Sequence, residues 1–193
     1  MEMAHSHVHL CASGTLVIFT RVDGLLRERA AAACELSRDV LTALISTRVP
    51  IVLVSDANAG EVRDIQCELG LLQPFISGGG AALHIPPEYF TQPYDTQAAD
   101  DDWEMFSFDA IGPAAAMRLL GALFLARGHD KILTVGLGCD TSDSAMLAAV
   151  DIPIVVRDQR LDQSALLRYV PGAYLTTATG AAGWLEAVVG SPR

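Results

Sequence analysis

The apolar positions of this chain fall into short unbroken runs separated by longer amphipathic stretches. Leu16 to Phe19 is a continuous apolar run, the pattern of a central parallel strand covered on both faces. It ends in Thr20-Arg21-Val22-Asp23-Gly24. Side chains alternate along extended backbone, so Arg21 and Asp23 are expected on one side just past the strand's carboxyl end. Leu25 to about Thr47 is rich in Ala, Leu, Glu and Arg and predicts a long helix. Pro50–Ser55 predicts a second strand and Glu61–Leu71 a helix, with Val62, Ile65 and Leu69 at helical spacing. Pro74–Ser77 predicts a short third strand, Gly78-Gly79-Gly80 a tight turn, and Ala81–Ile85 a hairpin partner. Pro86 to Asp102 breaks the pattern with two adjacent prolines and then acidic and polar residues, a loop or small lid. Beyond it Ile111–Arg127 predicts a helix, Lys131–Gly136 a strand, Ser142–Val150 a short helix and Ile152–Val156 a strand. Val170–Leu175 predicts an edge strand and Gly183–Val189 a closing helix.

Alternation of strand and helix implies an α/β fold: a doubly wound, Rossmann-like parallel sheet in three α/β/α layers. In such sheets ligands bind outside the carboxyl strand ends. Three of those ends face one crevice: Arg21/Asp23, Ser55, and the loop Cys139-Asp140-Thr141-Ser142-Asp143.

Composition narrows the picture. The chain has 193 residues, enough for one domain with a substantial core. Residues 1–13 are expected to form an N-terminal tail and 14–193 a single core domain. The 13 Lys and Arg against 23 Asp and Glu give a formal charge of −10. Such a surface repels nucleic acid and anionic membrane, so neither is expected as a partner. No apolar run has the length of a membrane span, and the N-terminus lacks a secretory pattern, so a cytoplasmic location is expected. Cys11, Cys34, Cys67 and Cys139 lack paired spacing and read as reduced thiols. His5, His7 and His9 would share a face on a strand and could hold a metal there, but they read better as a solvated tail.

The stretch Arg21-Val22-Asp23-Gly24-Leu25-Leu26 resembles the first motif of the haloacid dehalogenase-like phosphohydrolases, Asp-x-Asp-Gly-Thr-Leu, except at its first position. Other segments resemble the mannosyl-3-phosphoglycerate phosphatase branch of that superfamily. They include Leu53-Val54-Ser55, Glu68–Ser77, Pro86–Phe90, Thr134–Gly138, Asp143–Leu147, Ala149–Arg157 and Gly183–Val188. The likeness runs from about residue 14 to 190 and is interrupted between Phe90 and Phe106, where the branch carries a whole cap domain. Residues 91–106 would be a remnant, leaving the cap reduced to a short loop and the crevice either open or covered by a second copy in a homo-oligomer.

The resemblance implies a chemistry with four demands. An aspartate where Arg21 stands attacks phosphorus and forms an aspartyl-phosphate. Asp23 acts as acid and then base. Ser55 and a lysine neutralise the phosphoryl charge. Mg²⁺ is held by the nucleophile, the carbonyl at 23 and acids of the fourth motif. The chain keeps Asp23 and Ser55 as vestigial catalytic residues and Asp143 as a metal acid. It has Arg21 for the nucleophile, Cys139 for another metal acid, and Ile111-Gly112 where the lysine belongs. Lys131, the only lysine, starts its strand at the far end of the sheet. Arginine stays protonated and offers only donors, so it cannot attack. Asp23 also reads as a turn residue, Ser55 as an ordinary strand-end hydroxyl, and Asp143 as a helix cap.

The expectation is a phosphatase homologue that has lost phosphoryl transfer, acts by binding, and needs no cofactor. Arg21 would pair with Asp23, Asp143 or Asp140 in place of a metal, and together with Ser55 it would hold a small phosphate-type anion. The alternative is an Mg²⁺-dependent phosphatase acting on a small phosphorylated sugar acid such as mannosyl-3-phosphoglycerate.

Overall fold

The computed structural model describes residues 15–22, 25, 49–90, 103–109, 112–128 and 131–189. Asp23, the helix expected after it, the histidine string and the whole stretch 91–102 lie outside the described residues.

Among the described residues eight strands form one sheet in the order β5-β4-β3-β2-β1-β6-β7-β8. They are β1 Thr15–Arg21, β2 Ile51–Val54, β3 Phe75–Ser77, β4 Ala82–Ile85, β5 Glu104–Ser107, β6 Ile132–Gly138, β7 Ile152–Arg157 and β8 Tyr174–Thr179. The helices are α1 Ala59–Leu69, α2 Ala114–Ala126, α3 Ser144–Leu147, α4 Ser164–Tyr169 and α5 Gly180–Val189. From β3 through β1 to β8 neighbouring strands run parallel. The doubly wound core is therefore as expected, but β4 and β5 pair antiparallel at one edge, so the whole sheet is mixed. Strand β5 falls in a stretch read as loop, and α4 had no counterpart in the sequence reading. The last strand runs over Tyr174–Thr179, later than the predicted Val170–Leu175.

Alternation in β1 divides the core. Ile18 and Val22 pack on one face with Val62, Ile65 and Leu69 of α1 and Trp184 of α5. Val17 and Phe19 pack on the other with Ala116, Met117, Leu120 and Phe124 of α2 and with Met146, Leu147 and Leu166. This is the three-layer α/β/α arrangement, and burial on both faces explains the unbroken apolar runs Leu16–Phe19 of β1 and Ile51–Val54 of β2. Trp184 is fully buried, and its Nε1–H donates to Thr20 Oγ1 at 3.0 Å, fastening α5 to the end of β1.

The chain winds from β1 toward β2 and β3, then returns to place β6 on β1's other side. The switch point lies between β1 and β6, and there the carboxyl ends open a crevice. Among the described residues no helix is long and apolar enough to cross a membrane.

Candidate functional site

Arg21, the last residue of β1, shares its face of the strand with Val17 and Phe19 and lies next to Val54 of β2. Its side chain is 10% exposed. Nη1 donates to Asp56 Oδ1 at 3.1 Å and Nη2 to Asp56 Oδ2 at 2.7 Å, a forked pair across the ends of β1 and β2. Its Nε stands 2.8 Å from Asp143 Oδ1. That contact is close but not in line with the N–H, so it is an ionic contact rather than a directed hydrogen bond, and Oδ1 takes no hydrogen bond among the described residues. Of the three partners expected for Arg21, Asp143 is in contact and Asp23 lies outside the described residues. Asp56, read from sequence as a loop residue, takes the fork.

Asp143 is 2% exposed. Its Oδ2 accepts from the backbone N–H of Cys139 at 2.7 Å and of Asp140 at 3.0 Å. Asp140 returns the favour through Oδ1, accepting from Ser142 N at 3.1 Å, and the two form a capping box. The cap role foreseen for Asp143 thus occupies one oxygen and the ion pair the other. No side chain fits at position 138. A Cβ on Gly138 would lie 2.7 Å from Asp143 Cβ and 2.9 Å from Oδ2, so the glycine lets the carboxylate fold back under its own loop.

The two carboxylates described against Arg21 differ in proton affinity. The guanidinium bond holds Asp56 below the usual carboxylate range, with partial burial opposing it. Burial raises Asp143, while the Asp140 N–H, Arg21 and the Cys139 N–H pull the other way. The difference follows exposure, 64% for the Asp56 side chain against 2% for Asp143. The Cys139 thiol is buried and pushed up to about 12, first by desolvation and then by Asp143, so at neutral pH it is a thiol.

Ser55 is fully buried at the end of β2, and its Oγ accepts from the N–H of Ala57 at 3.1 Å, the local turn of an ordinary strand-end hydroxyl. Asp23 lies outside the described residues. Lys131 precedes β6, whose other end carries Gly138, so it sits at the opposite edge of the sheet. At Gly112, where the resemblance expects a lysine nearby, the backbone closes in. A Cβ on Gly80 would lie 2.3 Å from the carbonyl carbon of Gly112, so the glycine turn packs against the start of α2.

Gln163 was not singled out from sequence. Its Nε2–H₂ donates to the carbonyls of Cys139 and Val156, both at 2.8 Å, and its Oε1 accepts from Asp158 N at 3.2 Å. It ties the end of β6 to the end of β7. A glutamine just before a short helix carries no periodic signal, so sequence gave no reason to single it out. Beside these residues lies a cavity of about 470 Å³ lined by Arg21, Cys139, Asp140, Ser142, Asp143, Asp158, Arg160 and Leu161. Arg160 pairs with Asp158 at 2.7 Å on its rim.

This fold is that of the haloacid dehalogenase-like hydrolases. One such hydrolase, from Bacteroides thetaiotaomicron, superposes with a TM-score of 0.63 over 91% of this chain and 99% of its own, at 10% identity. The cobalt-bound deoxy-D-mannose-octulosonate 8-phosphate phosphatase of Haemophilus influenzae superposes with a TM-score of 0.54 over 92% of this chain and 88% of its own, at 13% identity. In sequence, the chain is similar to the glucosyl-3-phosphoglycerate/mannosyl-3-phosphoglycerate phosphatase of Persephonella marina, 35% identical over 74 residues. That stretch is 38% of this chain and 28% of the relative, less than a third of its length. No family profile matches the chain. The likeness to the haloacid dehalogenase superfamily is thus carried by sequence and by fold.

Proposed function

We propose that this chain is a haloacid dehalogenase-like phosphatase homologue that has given up phosphoryl transfer and acts by binding. One observation carries the reading: a protonated guanidinium, held by Asp56 and Asp143, sits at the strand end where the resemblance calls for an attacking carboxylate. A guanidinium has no lone pair to offer phosphorus.

The described residues do not suit Mg²⁺. A protonated Cys139 thiol is a poor partner for a hard cation. Both Asp143 oxygens are engaged, one by backbone N–H groups and one by Arg21, and the guanidinium brings a positive charge into the same space. Of the two carboxylates described against Arg21, Asp56 is the exposed one, so a small phosphate-type anion competing for the fork displaces Asp56 rather than Asp143.

A second reading, an Mg²⁺-dependent phosphatase acting on a phosphorylated sugar acid, is favoured by the 74-residue likeness to the Persephonella marina enzyme. The two part on release of inorganic phosphate from an aryl phosphate and from mannosyl-3-phosphoglycerate, with Mg²⁺ and with chelator. The expected result is no release above the blank. Mg²⁺-dependent release that disappears in Asp23→Asn would establish the second reading.

A further inference from the structure

The two edges of the sheet are finished differently. At β8 the Glu186 carboxylate of α5 accepts from the N–H groups of Thr177 at 2.9 Å and Ala178 at 2.8 Å, so backbone donors there are already occupied. At the other edge β5 pairs with β4, and among the described residues no strand lies beyond it. The ladder shows which groups β5 leaves open. Phe108 N–H donates to the Ala81 carbonyl at 2.8 Å, in the same register that sets Phe106 opposite Leu83 and Glu104 opposite Ile85. Antiparallel pairs alternate between bonded and non-bonded, so Glu104, Phe106 and Phe108 turn their N–H and C=O groups toward β4. Met105 and Ser107 turn theirs outward, and Met105 is 62% exposed. The start of β5 is held in place: the Trp103 ring lies 5.4 Å from Phe75 between centroids, with the Arg63 guanidinium 5.0 Å over it. Open N–H and C=O groups along an ordered strand are a template for another strand.

From this we propose that β5 pairs with β5 of a second copy of this chain, antiparallel about a twofold axis at Phe106, joining the two sheets into one. A twofold contact sets a surface against itself, so the strand must suit its own reverse. Outward groups must meet outward groups, which places Met105 opposite Ser107 of the second copy and Ser107 opposite its Met105. Each of these bonded pairs exchanges both N–H···O=C bonds. Phe106 then faces Phe106 across the axis, an aromatic cross-strand pair. Glu104 lies opposite Phe108, which keeps the two carboxylates at opposite ends of the contact. A shift by two residues, Met105 against Met105, would draw the glutamates together, and facing like charges destabilise a sheet. So short a strand buries little, and the contact belongs to the weak, transient class below about 1,200 Å². In sheet order β5 is the fourth strand from β1, roughly 19 Å away at ~4.8 Å per strand. The second copy therefore pairs away from the crevice, and the contact does not rest on what the crevice does.

Sedimentation of the full chain over a concentration series, with two variants, tests the pairing. The wild type should pass from one chain mass to two as concentration rises. Met105→Pro removes a donor that faces away from β4, and an edge strand tolerates proline at such a position. It should keep the wild-type circular dichroism and raise the dissociation constant at least about tenfold. Phe106→Cys sets two thiols across a non-bonded pair, with Cα atoms about 4.5 Å apart, inside disulfide reach. After mild oxidation, peptide mapping should find position 106 of one copy joined to position 106 of the other. If Met105→Pro does not fold, the cross-link decides: its formation supports the pairing and its absence overturns it. A wild type that stays at one chain mass up to about 1 mM, or a folded proline variant that associates as tightly as the wild type, also overturns it.

Discussion

Replacing Arg21 with methionine keeps most of the side chain's length and removes its charge. Among the described residues two pairs are lost, and they are not equal. The Asp56 carboxylate is 64% exposed, so that pair falls in the range of surface ion pairs, about 0–1 kcal/mol. Asp143 is 2% exposed, and stripping the partner from a buried charge costs about 3–5 kcal/mol. The sum is about 4 kcal/mol, a large part of the ~5–15 kcal/mol that a domain has in total. With a urea slope of about 2 kcal/mol/M, the unfolding midpoint should fall by about 2 M. Arg21→Met/Asp143→Asn removes the orphaned charge while keeping an acceptor for the Cys139 and Asp140 N–H groups. It should recover at least ~2 kcal/mol, a non-additivity within the range seen for residues in contact.

The pH dependence has a definite sign. Burial raises Asp143, and loss of Arg21 raises it further. A carboxyl whose folded pKa exceeds its unfolded one favours folding below the unfolded value, and that advantage is lost as pH rises through the folded pKa. Asp56, lowered by Arg21, contributes stability above its unfolded pKa that is lost as pH falls through its folded one. Both effects narrow the gap between wild type and Arg21→Met as the solution is acidified from neutral into the carboxylate range. A cost below about 1 kcal/mol, a double variant whose cost equals the sum of its parts, or a gap that widens in acid would refute the reasoning.

Three further outcomes follow from the same geometry. Gly138→Ala should cost about 1–3 kcal/mol in urea melts by overpacking, because the new methyl would meet an Asp143 carboxylate that is bonded in place; an unchanged midpoint would show that the loop gives way. Gln163→Leu should cost about 2–3 kcal/mol, since the Cys139 and Val156 carbonyls lose a buried donor; hydrogen exchange at the ends of β6 and β7 should rise with it, and unchanged exchange there would contradict the bridging role. Iodoacetamide should alkylate the exposed Cys67 and spare Cys139, which is buried with its thiol pushed up to about 12; peptide mapping that finds Cys139 modified as fast as Cys67 in the native protein would contradict this.

The fold was legible wherever burial wrote itself into the residues. β1, β2, β6 and β7 lie among helices on both faces, and their apolar runs have no other reading. The hairpin of β3 and β4 could be read from three consecutive glycines. Strand β5 could not, because Glu104–Ser107 is mostly exposed and short, and is a strand by virtue of pairing with β4. Six-residue α4 is too brief for its periodicity to register. At the site, Arg21 stood out because it breaks a motif, and Asp143 because it keeps one. Asp56 broke nothing. Its role comes from a partner 35 positions away in sequence, and a loop aspartate after a strand gives no hint of that contact. Ser55 was noticed for its place in a motif, yet its oxygen makes a local turn contact.

The central claim is that Arg21 fills the crevice in place of nucleophile and metal. A crystal structure of the wild type grown in Mg²⁺ tests it most directly. The account predicts the guanidinium forked on Asp56 and in contact with Asp143, with no metal density between the strand ends. An octahedral ion bound to Asp143, with Arg21 swung out to solvent, would contradict it.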